Sequence, residues 1–205
     1  MKISRLATPL QYSMIALALT GVGSLPAQAQ DAQSHTLTAP SNELTPDQSA
    51  LLRAVRRATD RFQNVEEAEK EGYELQFGCV SGDSAGAMGL HYVNMTLVNA
   101  GVLDVNHPQI VIYEPTSSGH LRLIGADYLL LAGKWDGDPA HNKPGELPTP
   151  PDLMGQLFHL FDAPNRFRLP AFYTLHVWAW KDNPNGAFVN WHPNVSCKLF
   201  TGKDD

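Results

Sequence analysis

The sequence predicts an α+β fold, N-terminal helices packed on a curved, mostly antiparallel sheet, with a small β-barrel flanked by helices as the alternative. Three observations predict it. Apolar side chains recur at helical spacing over residues 46–71. Further on, short runs rich in β-branched and aromatic residues are bounded by turn signals at Thr116–Gly119 and Asn183–Gly186. Two of those runs, 109–114 and 120–131, flank one such turn and read as an antiparallel hairpin.

The chain of 205 residues opens with Lys2 and Arg5, an apolar run from Met14 to Val22, and Ala27-Gln28-Ala29. A basic start, a short apolar middle and small residues at −3 and −1 predict a cleaved export signal over 1–29. The apolar run is shorter than the roughly 20 residues a membrane-spanning helix needs. The expected location is therefore the periplasm or the medium. Residues 30–45 are polar and Pro-containing and are expected to be a disordered leader, leaving one globular domain over 46–205.

Thr45-Pro46-Asp47-Gln48 is a helix start: Thr45 as cap, Pro46 in the first turn, Gln48 closing a capping box. Leu51, Leu52, Val55, Ala58 and Phe62 follow at helical spacing, and a second short helix over Val65–Glu71 ends at Gly72. The small residues from Val80 to Gly89 predict a loop. Beyond it a strand is expected with His91, Val93, Met95 and Leu97 on one face. Residues 134–151, rich in Pro and Gly, read as a surface loop, and 152–161 as a short helix. A strand over 173–180 and another over 187–191 close the chain.

Charge and cysteine content restrict the function. The net charge of −6 becomes −8 without Lys2 and Arg5, which argues against nucleic acid and against an anionic membrane surface. No second long apolar run is present, so no membrane span is expected beyond the signal. Cys79 and Cys197, the only cysteines, are expected to form a disulfide. They lack the close spacing of thiolate metal sites.

Gly82-Asp83-Ser84-Ala85-Gly86 fits the nucleophile-elbow pattern, and Ser84, Asp127 and His176 occur in the matching order. The context opposes that reading, because helices occupy the region where an α/β-hydrolase builds its first strands. The stronger signal is polar residues set in apolar segments. Alternation over 173–180 puts Thr174, His176, Trp178 and Trp180 on one face and Tyr173, Leu175, Val177 and Ala179 on the other. His91 and His159 repeat the pattern of a histidine among apolar neighbours, and Glu114 and Asp127 are carboxylates in greasy strands. Imidazoles and carboxylates in dry surroundings suit a divalent transition metal, with His91, His159, His176 and Glu114 as ligands. They equally suit an acid–base centre built from His91, His176 and Asp127. Simple hairpin register places Glu114 near the turn and Asp127 near the far end, so the two share a site only if the sheet curls or bulges. Tyr92, Trp178 and Trp180 are the candidate walls of a pocket for a small apolar or aromatic molecule. His107, His120, His141 and His192 lie beside prolines or in turns and are expected at the surface.

The strings GAMGLHYVN (86–94), YEP (113–115), LRLIGADY (121–128) and LHVWAWKDNPNGAF (175–188), followed by Val195-Ser196-Cys197, resemble an uncharacterised family of exported bacterial proteins. The resemblance places His91, Glu114 and His176 inside these strings and His159 in a further shared stretch, and implies no activity. Two positions depart from its pattern: Asp127 where glutamate is usual, and His192 where asparagine is usual. The sequence reading is thus an exported protein with a His/carboxylate site for a small molecule. The alternatives are a non-catalytic binder and a structural envelope protein.

Overall fold

The computed structural model describes residues 43–82 and 84–202, and its first helix begins where the capping chemistry puts it. The Thr45 side chain accepts from the Gln48 N–H, and the Gln48 side chain accepts from the Thr45 N–H, so both ends of the capping box are closed at the start of α1 (Pro46–Thr59). Such a cap contributes about 1 kcal/mol. A 3₁₀ turn (Asp60–Gln63) buries Phe62, and Asn64 caps α2 (Val65–Lys70).

Six strands follow: β1 (Glu74–Ser81), β2 (Ala87–Val93), β3 (Ile110–Pro115), β4 (Leu121–Leu131), β7 (His159–Phe161) and β8 (Phe172–Val177). They form one curled antiparallel sheet in the order β1-β2-β3-β4-β8-β7, which makes the fold α+β. Strands β1 and β7 remain edges, so the barrel alternative is not adopted. The remaining elements are α3 (Met95–Ala100), α4 (Ala132–Asp136) and a two-stranded ribbon of β5 (Asp152–Leu153) and β6 (Gln156–Leu157).

Alternation divides the sheet into two buried faces. On one, Ala126, Tyr128 and Leu130 of β4 and Leu175 and Val177 of β8 pack under Leu51, Leu52 and Val55 of α1. Each fully buried aliphatic there contributes roughly 1.5–3 kcal/mol. On the other, Ile110, Ile112, Leu129 and Phe172 are covered by Phe161, Phe167 and Leu169 and by Val195 near the C-terminus. Cys79 and Cys197 are joined in a disulfide with their Cα atoms 5.6 Å apart, pinning the C-terminal segment to β1.

Several elements differ from the sequence reading, each for a local reason. The loop expected over 80–89 is shorter, because Val80 and Ser81 extend β1 and pair with Gly89 and Ala87 of β2. The strand expected through Leu97 stops at Val93. The Asn94 side chain accepts from the Leu97 N–H and starts α3 instead, which Gly101 ends. The helix expected over 152–161 is replaced by strands, because Met154 and Gly155 both take positive φ and turn β5 into β6. No strand forms over 187–191. Its carbonyls are instead taken up one at a time, Ala187 by the Trp178 N–H, Val189 by the Trp178 indole and Trp191 by the Asn183 amide. The 109–114/120–131 hairpin forms with Glu114 opposite Arg122 and Ile110 opposite Asp127.

Gly89 is a glycine dictated by close approach. It has φ of 98°, and a Cβ there would lie 2.5 Å from the Tyr113 carbonyl oxygen. Gly89→Ala is expected to destabilise the protein by about 3 kcal/mol or more in denaturant melts, since it adds backbone strain to a steric clash.

The expected signal peptide (1–29) and most of the expected leader lie outside the described residues. Among the described residues, no helix is long and apolar enough to cross a membrane.

Candidate functional site

Three strands deliver three polar side chains to one point on the face opposite α1. His91 comes from β2, Asp127 from β4 and His176 from β8, where Asp127 and His176 are direct cross-strand partners. All three are at most 4 % exposed. One ligating atom from each lies within 4.8 Å of the other two, and among the described residues they are the one group of three His, Cys, Asp or Glu side chains arranged so.

The hydrogen bonds decide which ring atoms are free. His91 Nδ1 lies 3.1 Å from the Gly89 carbonyl, which can only accept, so Nδ1 carries the proton and Nε2 keeps its lone pair. That Nε2 sits 3.4 Å from His176 Nε2. The other nitrogen of this second ring, His176 Nδ1, is 3.5 Å from Asp127 Oδ2, too long for a hydrogen bond, and has no other partner. Asp127 is steadied on its other oxygen, where Thr174 Oγ1–H donates to Oδ1 at 2.6 Å. Two imidazole nitrogens thus face each other, with the Gly89 carbonyl as acceptor behind the His91 ring. With bonds of 2.0–2.1 Å to one tetrahedral metal, two ligand nitrogens would stand about 3.4 Å apart. A backbone acceptor behind a ligating histidine, as Gly89 provides for His91, is a usual means of holding tautomer and ring orientation.

Burial sets the protonation states. It holds His91 down at about 4, helped by the neighbouring His176, and His176 down at about 3, helped by His159. It pushes the Asp127 carboxyl up to about 6, against the Thr174 hydrogen bond and the pull of His91. Unfolded histidines take up protons near pH 6.5, whereas these wait for stronger acid, so the stability they contribute above pH 6.5 is lost as pH falls. Asp127 works the other way, because the folded state binds its proton first. The two histidine shifts outweigh the one carboxyl shift. Metal-free protein is therefore expected to lose on the order of 3–5 kcal/mol between pH 7 and pH 4. Urea melts in the presence of chelator check this, and a His91→Gln/His176→Gln variant is expected to lose clearly less.

The space above the trio amounts to about 20 Å3, with Phe77, Met88, Ile110, Leu129, Phe161 and Phe167 among its walls. That is room for one water or one ion and far less than an organic ligand requires. Phe77 reaches this wall through an irregularity in β1. Gln76 pairs with His91 and Cys79 with Leu90, so Phe77 and Gly78 are extra residues opposite them, both at positive φ. Bulges of this kind re-aim side chains beside functional sites. The sequence reading gave Phe77 no role and left Thr174 as no more than a neighbour of His176 on its face. Gly78 inside an apolar run was the signal available for the first.

The other candidates lie elsewhere. Glu114 is buried but occupied, its Oε1 accepting from Arg122 and its Oε2 from Lys181 at 2.6 Å. His159 is exposed on the edge strand β7 and is not one of the three clustered residues. Tyr92 stacks edge-on with Tyr113 in a core cluster away from the cavity. Trp178 is buried with its indole N–H bonded to the Val189 carbonyl, and its ring centre is 6.2 Å from that of His176. Trp180 leaves the His176 face, because the Ala179 N–H closes a tight turn onto the Val177 carbonyl. Its indole then bonds Thr59 at the end of α1. Ser84 is exposed in the short connection between β1 and β2. Of the histidines expected at the surface, His107, His120 and His141 are exposed. His192 is fully buried, paired with the Asp182 carbonyl and the Asn194 N–H.

Set against known proteins, the chain matches no family model, no curated protein and no solved structure.

Proposed function

We propose that the protein is an exported metal-binding protein whose His91, Asp127 and His176 hold one divalent transition ion beneath an apolar pocket. The observation that carries this reading is the convergence of one ligating atom from each of three buried side chains to within 4.8 Å, with the His91 and His176 Nε2 atoms 3.4 Å apart. Without a cation between them, either two lone pairs face each other or His176 turns its bare Nδ1 toward a carboxylate. Two imidazoles and one carboxylate suit zinc, iron(II) or manganese. Three protein ligands leave coordination positions free, the pattern of sites that act on a bound molecule rather than of closed structural sites. A metal there would supply Lewis-acid polarisation, with His91 and His176 fixing its position and the phenylalanines limiting water.

Elemental analysis of protein purified without a histidine tag tests the reading. The expected result is about one equivalent of a single transition metal per chain, restored on reloading after chelation. Absence of uptake by the metal-free protein across zinc, iron(II) and manganese would overturn it. In that case the 3.5 Å approach of Asp127 to His176 favours the second reading, an acid–base pair.

Export is supported by the Cys79–Cys197 disulfide and by the composition of the first 29 residues. Mass spectrometry of the protein recovered from periplasm or medium is expected to find an N-terminus at Gln30.

A further inference from the structure

The small cavity over the trio is separated from a surface cleft of about 480 Å3 by two rings that line both, Phe77 and Phe167. They meet edge to face with centres 5.3 Å apart. On the outer side the cleft is bounded by Gln76, Ser81, Arg166 and Arg168. The two arginines are exposed, and none of the described residues lining the cleft is acidic. In a chain of net charge −6 this is a local excess of positive charge at the mouth of a route marked by shared walls. Arg166 is already oriented. Its Nη1 donates to the Ser81 carbonyl at 3.0 Å, and its guanidinium lies 5.9 Å from the Phe167 and Trp191 rings. Phe77 of the partition and Arg168 of the cleft wall both take backbone that ordinary side chains avoid, at φ 63° and 55°. Residues kept in that region cluster at ligand clamps and switches.

We propose that this cleft binds a small organic anion with a flat apolar body, its charged head on Arg166 and Arg168 and its body displacing the Phe167 ring toward the His91–Asp127–His176 centre. The chemistry follows from the walls. Guanidinium groups recognise carboxylates in bidentate fashion, and Ile110, Leu129 and Phe172 behind the partition offer only apolar contact. The cleft is of ordinary size for a one-ring ligand, whereas the inner cavity is too small until a ring moves. The role given to the inner end rests on the metal reading above; the anion site does not.

Calorimetric titration of the full chain with benzoate, and with benzamide as the uncharged isostere, tests this. Benzoate is expected to bind one to one, at least tenfold tighter than benzamide, in both metal-free and metal-loaded protein. An Arg166→Gln/Arg168→Gln variant is expected to lose that preference while its metal content stays at the wild-type level. Phe167→Ala, which removes the displaced ring, is expected to tighten benzoate binding several-fold. Equal affinity for the two probes, or undiminished benzoate preference in the double variant, overturns the proposal even if metal is bound. Arginine-dependent benzoate binding to a protein that takes up no metal would uphold the anion site and remove the metal reading.

Discussion

His176→Ala is expected to reduce metal content from about one equivalent to under a tenth, with affinity lowered on the order of 1,000-fold or more. The size follows from its position: its Nε2 faces His91 across 3.4 Å, so its loss leaves two ligands where three converged. His91→Ala should match it. Thr174→Val, which removes only the hydroxyl that steadies Asp127, is expected to weaken binding about 10–100-fold. His159→Ala and Glu114→Gln are expected to leave metal content unchanged, since one is exposed and the other is held by Arg122 and Lys181. Stability separates this role from ordinary packing. In the metal-free state His176 carries an unpaired buried Nδ1, which costs roughly 1–3 kcal/mol. Its removal offsets much of the lost packing, so metal-free His176→Ala should melt within about 1 kcal/mol of metal-free wild type. A loss of several kcal/mol without any change in metal content would identify His176 as a core residue instead.

The parts of the fold that rest on local chemistry were readable in the sequence. Thr45 and Gln48 announce α1, the 109–131 hairpin carries its turn at Thr116–Gly119, and alternation along β8 puts His176 with Thr174 rather than with Leu175. Segments where two local preferences compete were not. At Asn94 a cap overrides a run that reads as strand, and at Met154–Gly155 a two-residue turn overrides one that reads as helix. The candidate site was legible as residue types and not as a set. His91, Asp127 and His176 are scattered over 86 positions and meet only because the sheet curls, and nothing local distinguishes them from His159 or Glu114. What separates those two is tertiary: an edge-strand position for one, and for the other two cationic partners, of which Lys181 is 67 positions away. Phe77 was hidden for a similar reason. Its place over His91 depends on a bulge whose only trace in the sequence is Gly78.

Loss of the disulfide is the second large effect expected. The bond closes a loop of 118 residues, for which chain entropy gives about 4–5 kcal/mol. For a domain of this size that corresponds to a fall in melting temperature of roughly 10–15 °C in a Cys79→Ser/Cys197→Ser variant. The effect should reach the site as well as the global fold. Cys197 lies two residues beyond Val195, which covers the same face as Ile110, Ile112 and Phe172, and Cys79 is the first paired residue after the Phe77–Gly78 bulge. Releasing the bond frees both the cover and the strand that carries Phe77 over the cavity. Amide exchange of β1 and of residues 192–197 is therefore expected to quicken more than that of β4 and β8, whose ladder is untouched. Metal loading should recover part of the lost stability, because an ion held by β2, β4 and β8 binds only the folded chain. If reduction lowers the melting temperature equally with and without metal, while exchange quickens uniformly, the bond stabilises the domain without organising the site. A larger loss in the metal-loaded protein would tie the cross-link to the face on which His91, Asp127 and His176 converge, because the released chain would then bind the ion more weakly.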